Sequence, residues 1–345
     1  MRFVVVSLIA LFFVSCFNDS PVVTSKGEPG RLVLVTSDQL YHEIDSTLDK
    51  VFYEPQPWLA MSEAYFKLSK MDKDAFKRSF MEYQTILFLI TKENYEEFKI
   101  LVPQIASADL EAYFNDESGM PIHINNKYAE PQKIYFLFAR DAAEMKEKLL
   151  KIQDNLLTTL YNNEVKDFAL RLFPNNADTS NAKFKQIKSV LGSGVAIPDN
   201  FELLKKSGEF YWYGERFSNE QQGIFCYRVP YSDTAQFNDE YLFNYRDSMM
   251  KAQVPGPREG TYMTTSASDV YPRFSEYQTI NGLYAKKLRG WWTVQGEFMG
   301  GPYVLYAVLS KDNRYIFFFE GFIYAPNKSK SKNLRTLEAL GYTIQ

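Results

Sequence analysis

The chain has 345 residues, 23% of them charged and 46% hydrophobic, with a net charge of −3. That is the composition of a folded globular protein, long enough for one large domain or two ordinary ones. The near-balance of charge offers no basic excess with which to hold nucleic acid, and the abundance of Phe and Tyr, 28 and 24, favours a sheet-rich core.

Arg2 precedes an apolar run over residues 3–14, and Ser15-Cys16 follows. A basic residue, a short apolar core and a small residue before cysteine describe a bacterial lipoprotein signal. The run falls short of the ~20 residues that a spanning helix needs. The pattern predicts a signal peptide over residues 1–15, cleavage before Cys16, and lipid on Cys16. The mature body would then be held to the membrane of the cell envelope, at the outer membrane, with its side left open. Residues 16–30, rich in Pro, Gly, Ser and Asn, read as a flexible tether.

A first folded half is expected over residues 31–175. Residues 32–36 read as a buried strand, and Ser37 caps a helix whose Leu40, Ile44, Leu48 and Val51 recur at helical spacing. Further strands are expected over 64–71, 85–90 and 133–139, with helices over 72–80 and 93–101. Asp141, with Glu144 three residues on, opens a helix of about 30 residues, or ~45 Å, which Pro174 stops.

Beyond a polar linker at 175–180, a second half is expected over residues 181–345. It begins with a short helix around Phe184, Ile187 and Leu191, then a strand at 195–198 and a hairpin from 209–217 and 223–229. A helix capped by Asn238 runs to Met250. Residues 290–299 alternate, placing Trp292, Val294 and Phe298 on one face and Thr293, Gln295 and Glu297 on the other. Gly300-Gly301-Pro302 turns the chain into strands at 303–309 and 315–324, the last apolar on both sides apart from Glu320. A final helix after Pro326 turns Leu334, Leu337 and Leu340 inward. The fold class is α+β, with antiparallel sheets flanked by helices in two closely packed subdomains.

Certain blocks in this half carry a resemblance. Arg289-Gly290-Trp291-Trp292, Phe298-Met299-Gly300-Gly301-Pro302-Tyr303, Glu320-Gly321-Phe322-Ile323-Tyr324-Ala325-Pro326 and Leu337-Glu338-Ala339-Leu340 resemble the Bacteroidota lipoproteins grouped as domain of unknown function 4837. With Gly30-Arg31-Leu32-Val33-Leu34-Val35, the likeness extends over nearly the whole mature chain. It implies a cell-envelope lipoprotein of a Gram-negative bacterium and supplies no catalytic residues. The second half is also similar to the PsbP-like sandwich, an antiparallel sheet flanked by helices.

The residues that could carry chemistry are few. His42 and His123 are the only histidines, and neither stands at a ligand spacing, so no metal or cofactor is expected. With Cys16 lipidated, Cys226 is alone in an apolar run and reads as an inert buried thiol. No G-x-S-x-G elbow occurs; Gly192-Ser193-Gly194 is a turn. Glycoside hydrolysis needs two facing carboxylates, for which Glu297 and Glu320 are the candidates. The bland alternative for Glu320 is a structural ion pair with Arg289 or Arg314. Trp291 and Trp292, with Tyr262, Tyr271, Tyr277 and Tyr284, would make an aromatic face for sugars or a protein. Alternation puts the two tryptophans on opposite sides of their strand. The candidate binding surface is therefore Trp291, Trp292, Tyr284, Glu297 and Glu320. Lys328, Lys330, Lys332 and Arg335 form a basic cluster, read as a solvated helix face or a contact for anionic headgroups. Together these point to a non-enzymatic binding or accessory module whose partners are the membrane, through Cys16, and an envelope protein or glycan. A carbohydrate-active hydrolase and a carrier of lipid or small ligands remain the alternatives.

Overall fold

The computed structural model of the chain describes residues 23–99, 101, 110–174, 181–216 and 220–345. The signal peptide, Cys16 and the linker at 175–180 lie outside the described residues.

The first half is built on β1 (Arg31–Val35), β2 (Lys67–Met71), β3 (Thr85–Thr91), β4 (Ile122–Asn125) and β5 (Lys133–Ala139), in the order β2-β1-β3-β5-β4. β1 pairs parallel with β2 and β3, and β3 parallel with β5; only the edge strand β4 is antiparallel. This sheet is therefore mixed rather than antiparallel as expected. The reason is visible in β3 and β5, which are nearly continuous apolar runs buried on both faces, the pattern of strands covered on both sides by helices. His123 lies on β4 rather than in a loop.

The two long helices of this half follow the expected caps, whereas Asn238, at the start of the helix Asp239–Gln253, makes no side-chain capping bond. Ser37 Oγ accepts the Leu40 N–H at the start of α1 (Asp38–Phe52), whose Leu40, Ile44, Leu48 and Val51 are all buried. Short helices connect the strands: α2 (Lys73–Ala75), capped by Asp72 and continued by a π-helical turn over Phe76–Phe80 as the expected helix at 72–80 requires, α3 (Tyr95–Phe98) and α4 (Leu110–Phe114). Asp141 caps α5 (Ala142–Leu172), 31 residues long, by accepting from Glu144 N–H at 2.9 Å. Residues 23–30, inside the segment expected as a tether, are bonded along the sheet end where the parallel strands begin. Ser25 N–H donates to Glu130 O at 3.1 Å and Lys26 N–H to Glu82 O at 2.7 Å.

The second half opens with α6 (Ala182–Leu191), closed by Gly192 in the left-handed conformation. Residues 195–198, expected as a strand, are extended and belong to no strand; Ala196 N–H bonds Thr343 Oγ1 instead. An eight-stranded antiparallel sheet follows: β6 (Glu202–Ser207), β7 (Phe210–Arg216), β8 (Gln221–Pro230), β9 (Met263–Thr265), β10 (Phe274–Ile280), β11 (Leu283–Val294), β12 (Gly300–Leu309) and β13 (Tyr315–Tyr324). Its order is β10-β11-β12-β13-β8-β7-β6, with β9 on the end of β11. One face packs Phe225, Tyr227, Trp292, Leu305 and Phe318 against α7 (Asp239–Gln253). The other packs Ile224, Cys226, Val304, Phe317 and Phe319 against α6 and α8 (Ser331–Gly341). Both faces being covered explains why β13 is apolar throughout.

Phe298 does not share a face with Trp292. β11 ends at Val294, Gly296 takes φ 81°, and the alternation is lost in the turn, leaving Phe298 fully exposed. The other side of α8 faces α5, and Trp58 and Tyr342 pack against the cores of both halves. The molecule is an α+β protein of two closely packed subdomains.

Candidate functional site

The most chemically loaded region lies where the halves meet. On β11, alternation turns Lys287, Arg289 and Trp291 toward α8. β10 places Phe274 opposite Arg289 and Glu276 opposite Lys287. From α8 come Arg335 and Glu338, from α5 Tyr161, Asn162 and Glu164, and from the segment after α1 Trp58 and Tyr65. A cleft of about 250 Å³ opens among Trp58, Tyr65, Tyr161, Phe274, Glu276, Lys287 and Arg289.

Its hydrogen bonds form two sets, which the Tyr161 ring joins. Arg289 grips Glu338 through two bonds, Nε to Oε1 at 2.6 Å and Nη2 to Oε2 at 2.9 Å, and reaches Glu276 at 3.1 Å through Nη1. Lys287 pairs with Glu276 at 2.7 Å and donates to Asn162 Oδ1 at 3.2 Å. Tyr161 O–H donates to Glu338 Oε1 at 3.2 Å. Arg335 pairs with Glu164, which also accepts the Gly30 N–H at 2.6 Å, and donates to Tyr65 O. The Arg289 guanidinium lies 4.2 Å from the Trp58 ring centroid and that of Arg335 4.1 Å from Tyr161. Three cations thus face three carboxylates, so the charge is balanced.

The electrostatics follow from burial and pairing. Burial acts to raise the Glu338 carboxyl, but Arg289 and Lys287 more than reverse it, and it is held below its ordinary value. Burial and then the neighbouring Arg289 charge push Lys287 down, with Glu338 and Glu276 opposing. Burial raises Tyr65 to about 12. Every charged group here is already engaged, so the arrangement presents no free base or nucleophile. What it does is fix how the two halves meet.

A second buried pair sits on the opposite face of the sheet. Arg246, on α7, grips Glu320 at 2.6 and 3.0 Å, both fully enclosed. Thr265, Asp247 and the Tyr303 ring, 3.9 Å away, complete its surroundings. Burial opposes the Arg246 charge, and Glu320 more than compensates, holding it above its ordinary value. Glu320 is therefore a structural carboxylate, but its partner is neither Arg289, which binds Glu338, nor Arg314, which pairs with Asp312.

The expected binding surface is not assembled. Trp292 is core, its Nε1–H donating to Ile323 O at 3.1 Å. Trp291 is half-buried and stacks on Tyr271 with centroids 4.6 Å apart. Tyr284 lies seven positions away on β11, on the opposite face and ~23 Å along the strand, against Phe237. Glu297 sits in the exposed turn paired with Arg258, so it and Glu320 do not face each other across a cleft. The basic cluster is also dispersed: Lys328 pairs with Glu220, Lys332 with Glu28, and Arg335 with Glu164. Lys330 is buried, its Nζ donating to Lys328 O at 2.8 Å. Cys226 is buried and its thiol pushed up by that burial. Among the described residues no cluster of His, Cys, Asp or Glu is suited to hold a metal ion, and no helix is long and apolar enough to cross a membrane.

The functional residues missed in sequence lie at stripe positions of helices. Glu164 stands four residues from Leu160 and from Phe168, and Arg246 four from Leu242 and from Met250. A charged residue at such a position is the signal of a buried pair.

Fold and network together define a two-module α+β protein joined by a buried ionic seam. Comparison with known families draws the same division. Residues 180–343 match the family described as Domain of unknown function (DUF4837), and residues 25–173 match another, Domain of unknown function (DUF8532). The second half of the chain belongs to the DUF4837 family; residues 30–35, part of the wider resemblance, fall within the other family's span. No curated protein matches the chain. Among solved structures, it is similar to the Saccharomyces cerevisiae Ran-binding protein Mog1p, at 7% identity and TM-score 0.29, and to a point mutant of protein Mog1, at 7% and 0.27. Each match covers 44% of this chain and 89% of the other.

Proposed function

We propose that this is a lipid-anchored protein of the cell envelope, held to the outer membrane through Cys16, that acts by binding an envelope protein or glycan rather than by catalysis. The observation that carries the binding half of this reading is the engagement of the candidate carboxylates and of the thiol among the described residues. Glu320, Glu338, Glu164 and Glu297 are each held by an arginine, and the Cys226 thiol is buried and kept protonated. The anchoring half rests on the residue pattern around Ser15-Cys16.

Labelled palmitate should enter the wild-type chain and not Cys16→Ala; label in the variant would end the anchoring reading. Affinity purification of the tagged chain from detergent-solubilised membranes, against the Cys16→Ala control, then tests the partner. A reproducible anchor-dependent protein or glycan supports an accessory role. Turnover of an envelope glycan by the purified chain would overturn the non-enzymatic reading.

A further inference from the structure

β10 is the edge of the eight-stranded sheet, joined to β11 by Asn281-Gly282. Both turn residues have positive φ, 49° and 80°, as a tight two-residue hairpin requires. In such a hairpin the flanking pair, here Ile280 and Leu283, exchanges both backbone bonds, and the pairing alternates back from it. Phe274, Glu276, Gln278 and Ile280 therefore direct their N–H and C=O groups to β11. Ser275, Tyr277 and Thr279 turn theirs outward, and among the described residues no hydrogen-bond partner meets them. Their side chains are exposed as well, Tyr277 by 60%.

The other sheet edges are protected. β6, on the far side of the same sheet, is bulged between Leu203 and Lys205, and Lys205 Nζ donates to Gln253 O at 2.7 Å. In the first sheet β2 carries Lys67 and Lys70, and β4 is only four residues long. Bulges, lysines and short length are the devices that keep an edge from pairing. β10 has none of them: it runs seven residues in unbroken register, without lysine or proline. Its one charge, Glu276, is taken up by Lys287 and Arg289.

Beside this edge runs α5, and two clefts open between them. The cleft described above takes Phe274 and Glu276 together with Trp58 and Tyr161. A second, of about 330 Å³, is lined by Leu170, Phe173, Thr279, Asn281 and Tyr342. The two are centred about five residues apart along β10, or ~17 Å. A strand laid on β10 sends every second side chain toward α5. It fills both clefts with apolar residues about four or six positions apart.

We propose that β10 is a docking edge for an extended segment of a partner protein, which adds to the sheet as a further strand and seats two large apolar side chains in these clefts. Outward N–H and C=O groups repeating every ~6.8 Å match another extended backbone, whose own groups repeat at that interval. This rests on the binding reading above and makes its partner a protein; it does not depend on lipid at Cys16.

The test presents the full chain, in detergent micelles, to a phage-displayed library of random peptides of about twelve residues, enough to span the edge. Enriched peptides should carry two large apolar residues an even number of positions apart. In the unbound chain the amides of Ser275, Tyr277 and Thr279 should exchange freely with solvent, and bound peptide should slow all three. Tyr277→Pro removes an outward N–H and no bond to β11. It should weaken peptide binding about tenfold, whereas Tyr277→Ala, which keeps the N–H, should bind like the wild type. If Tyr277→Pro does not fold, amide exchange in the wild type decides alone. No enriched peptide, or peptides that leave the three amides unprotected, overturns the inference and leaves a glycan as the partner for the affinity purification to find. Slow exchange at all three amides in the unbound chain overturns it too, because the chain's own residues then cover the edge. Turnover of a glycan alongside the expected peptide result ends the non-enzymatic reading and leaves the docking edge standing.

Discussion

The two faces of the eight-stranded sheet bury charge in different ways. Under α7, Arg246 and Glu320 form a closed pair within one module. Under α8, Arg289, Lys287, Glu276 and Glu338 join a network that reaches Tyr161 and Asn162 in the other half. The first arrangement sets where a helix sits on its own sheet; the second sets how two families of module meet. Buried pairs add little net stability over apolar residues of the same size, but losing one partner is costly. The two sites should therefore respond differently to damage, according to how many partners each leaves behind.

The largest effect is expected from Arg246→Ala. It leaves Glu320 without a counter-charge in a dry core and should cost about 3–5 kcal/mol, read from the urea midpoint. Replacing both residues with leucine should recover most of that loss. A double variant as unstable as the single one would show that the pair contributes more than its own neutralisation.

Glu338→Gln should cost less, roughly 2–3 kcal/mol, because Glu276 still pairs with both Arg289 and Lys287. It also carries a pH signature. The Glu338 carboxyl is held below its ordinary 4.5 in the fold. Its contribution is therefore present above 4.5 and is lost as pH falls below that value through the lowered one. The margin of wild type over Glu338→Gln, followed by thermal unfolding from pH 7 to pH 3, should shrink below 4.5. A constant margin would remove Glu338's charge from the seam. Glu297→Ala should change stability by less than about 1 kcal/mol, because its pair with Arg258 is on the surface; a loss of several kcal/mol would mean that the β11–β12 turn is part of the core.

Much of the fold was legible because the helices announce themselves. Ser37 and Asp141 cap where the pattern places them, and α5 runs to the residue before Phe173 and Pro174. Strand direction was not legible: the apolar runs of β3 and β5 speak of burial on both faces, and pairing with β1 settles the rest. β10 went unread because it follows a proline-rich stretch and is half polar. The site was the least legible part. Trp58, Tyr161, Arg289 and Glu338 come from four distant segments, and only folding brings them together. Single aromatic pairs such as Trp291 and Trp292 drew notice by adjacency, although adjacency on a strand means opposite faces.

Within the last helix, Arg335 and Glu338 stand three residues apart, one supplying a cation to Glu164 of the first half and the other an anion to Arg289 of the second. This gives the joint an order in time. Where a chain emerges N-terminus first, residues 23–174 are available long before residues 335–338, and N-terminal segments fold first where they can. Until α8 arrives, Glu164 has no guanidinium and Arg289 no bidentate carboxylate, and each must remain where water can reach it. The surfaces that will form the seam stay wet and open until then, and one helix closes both modules together.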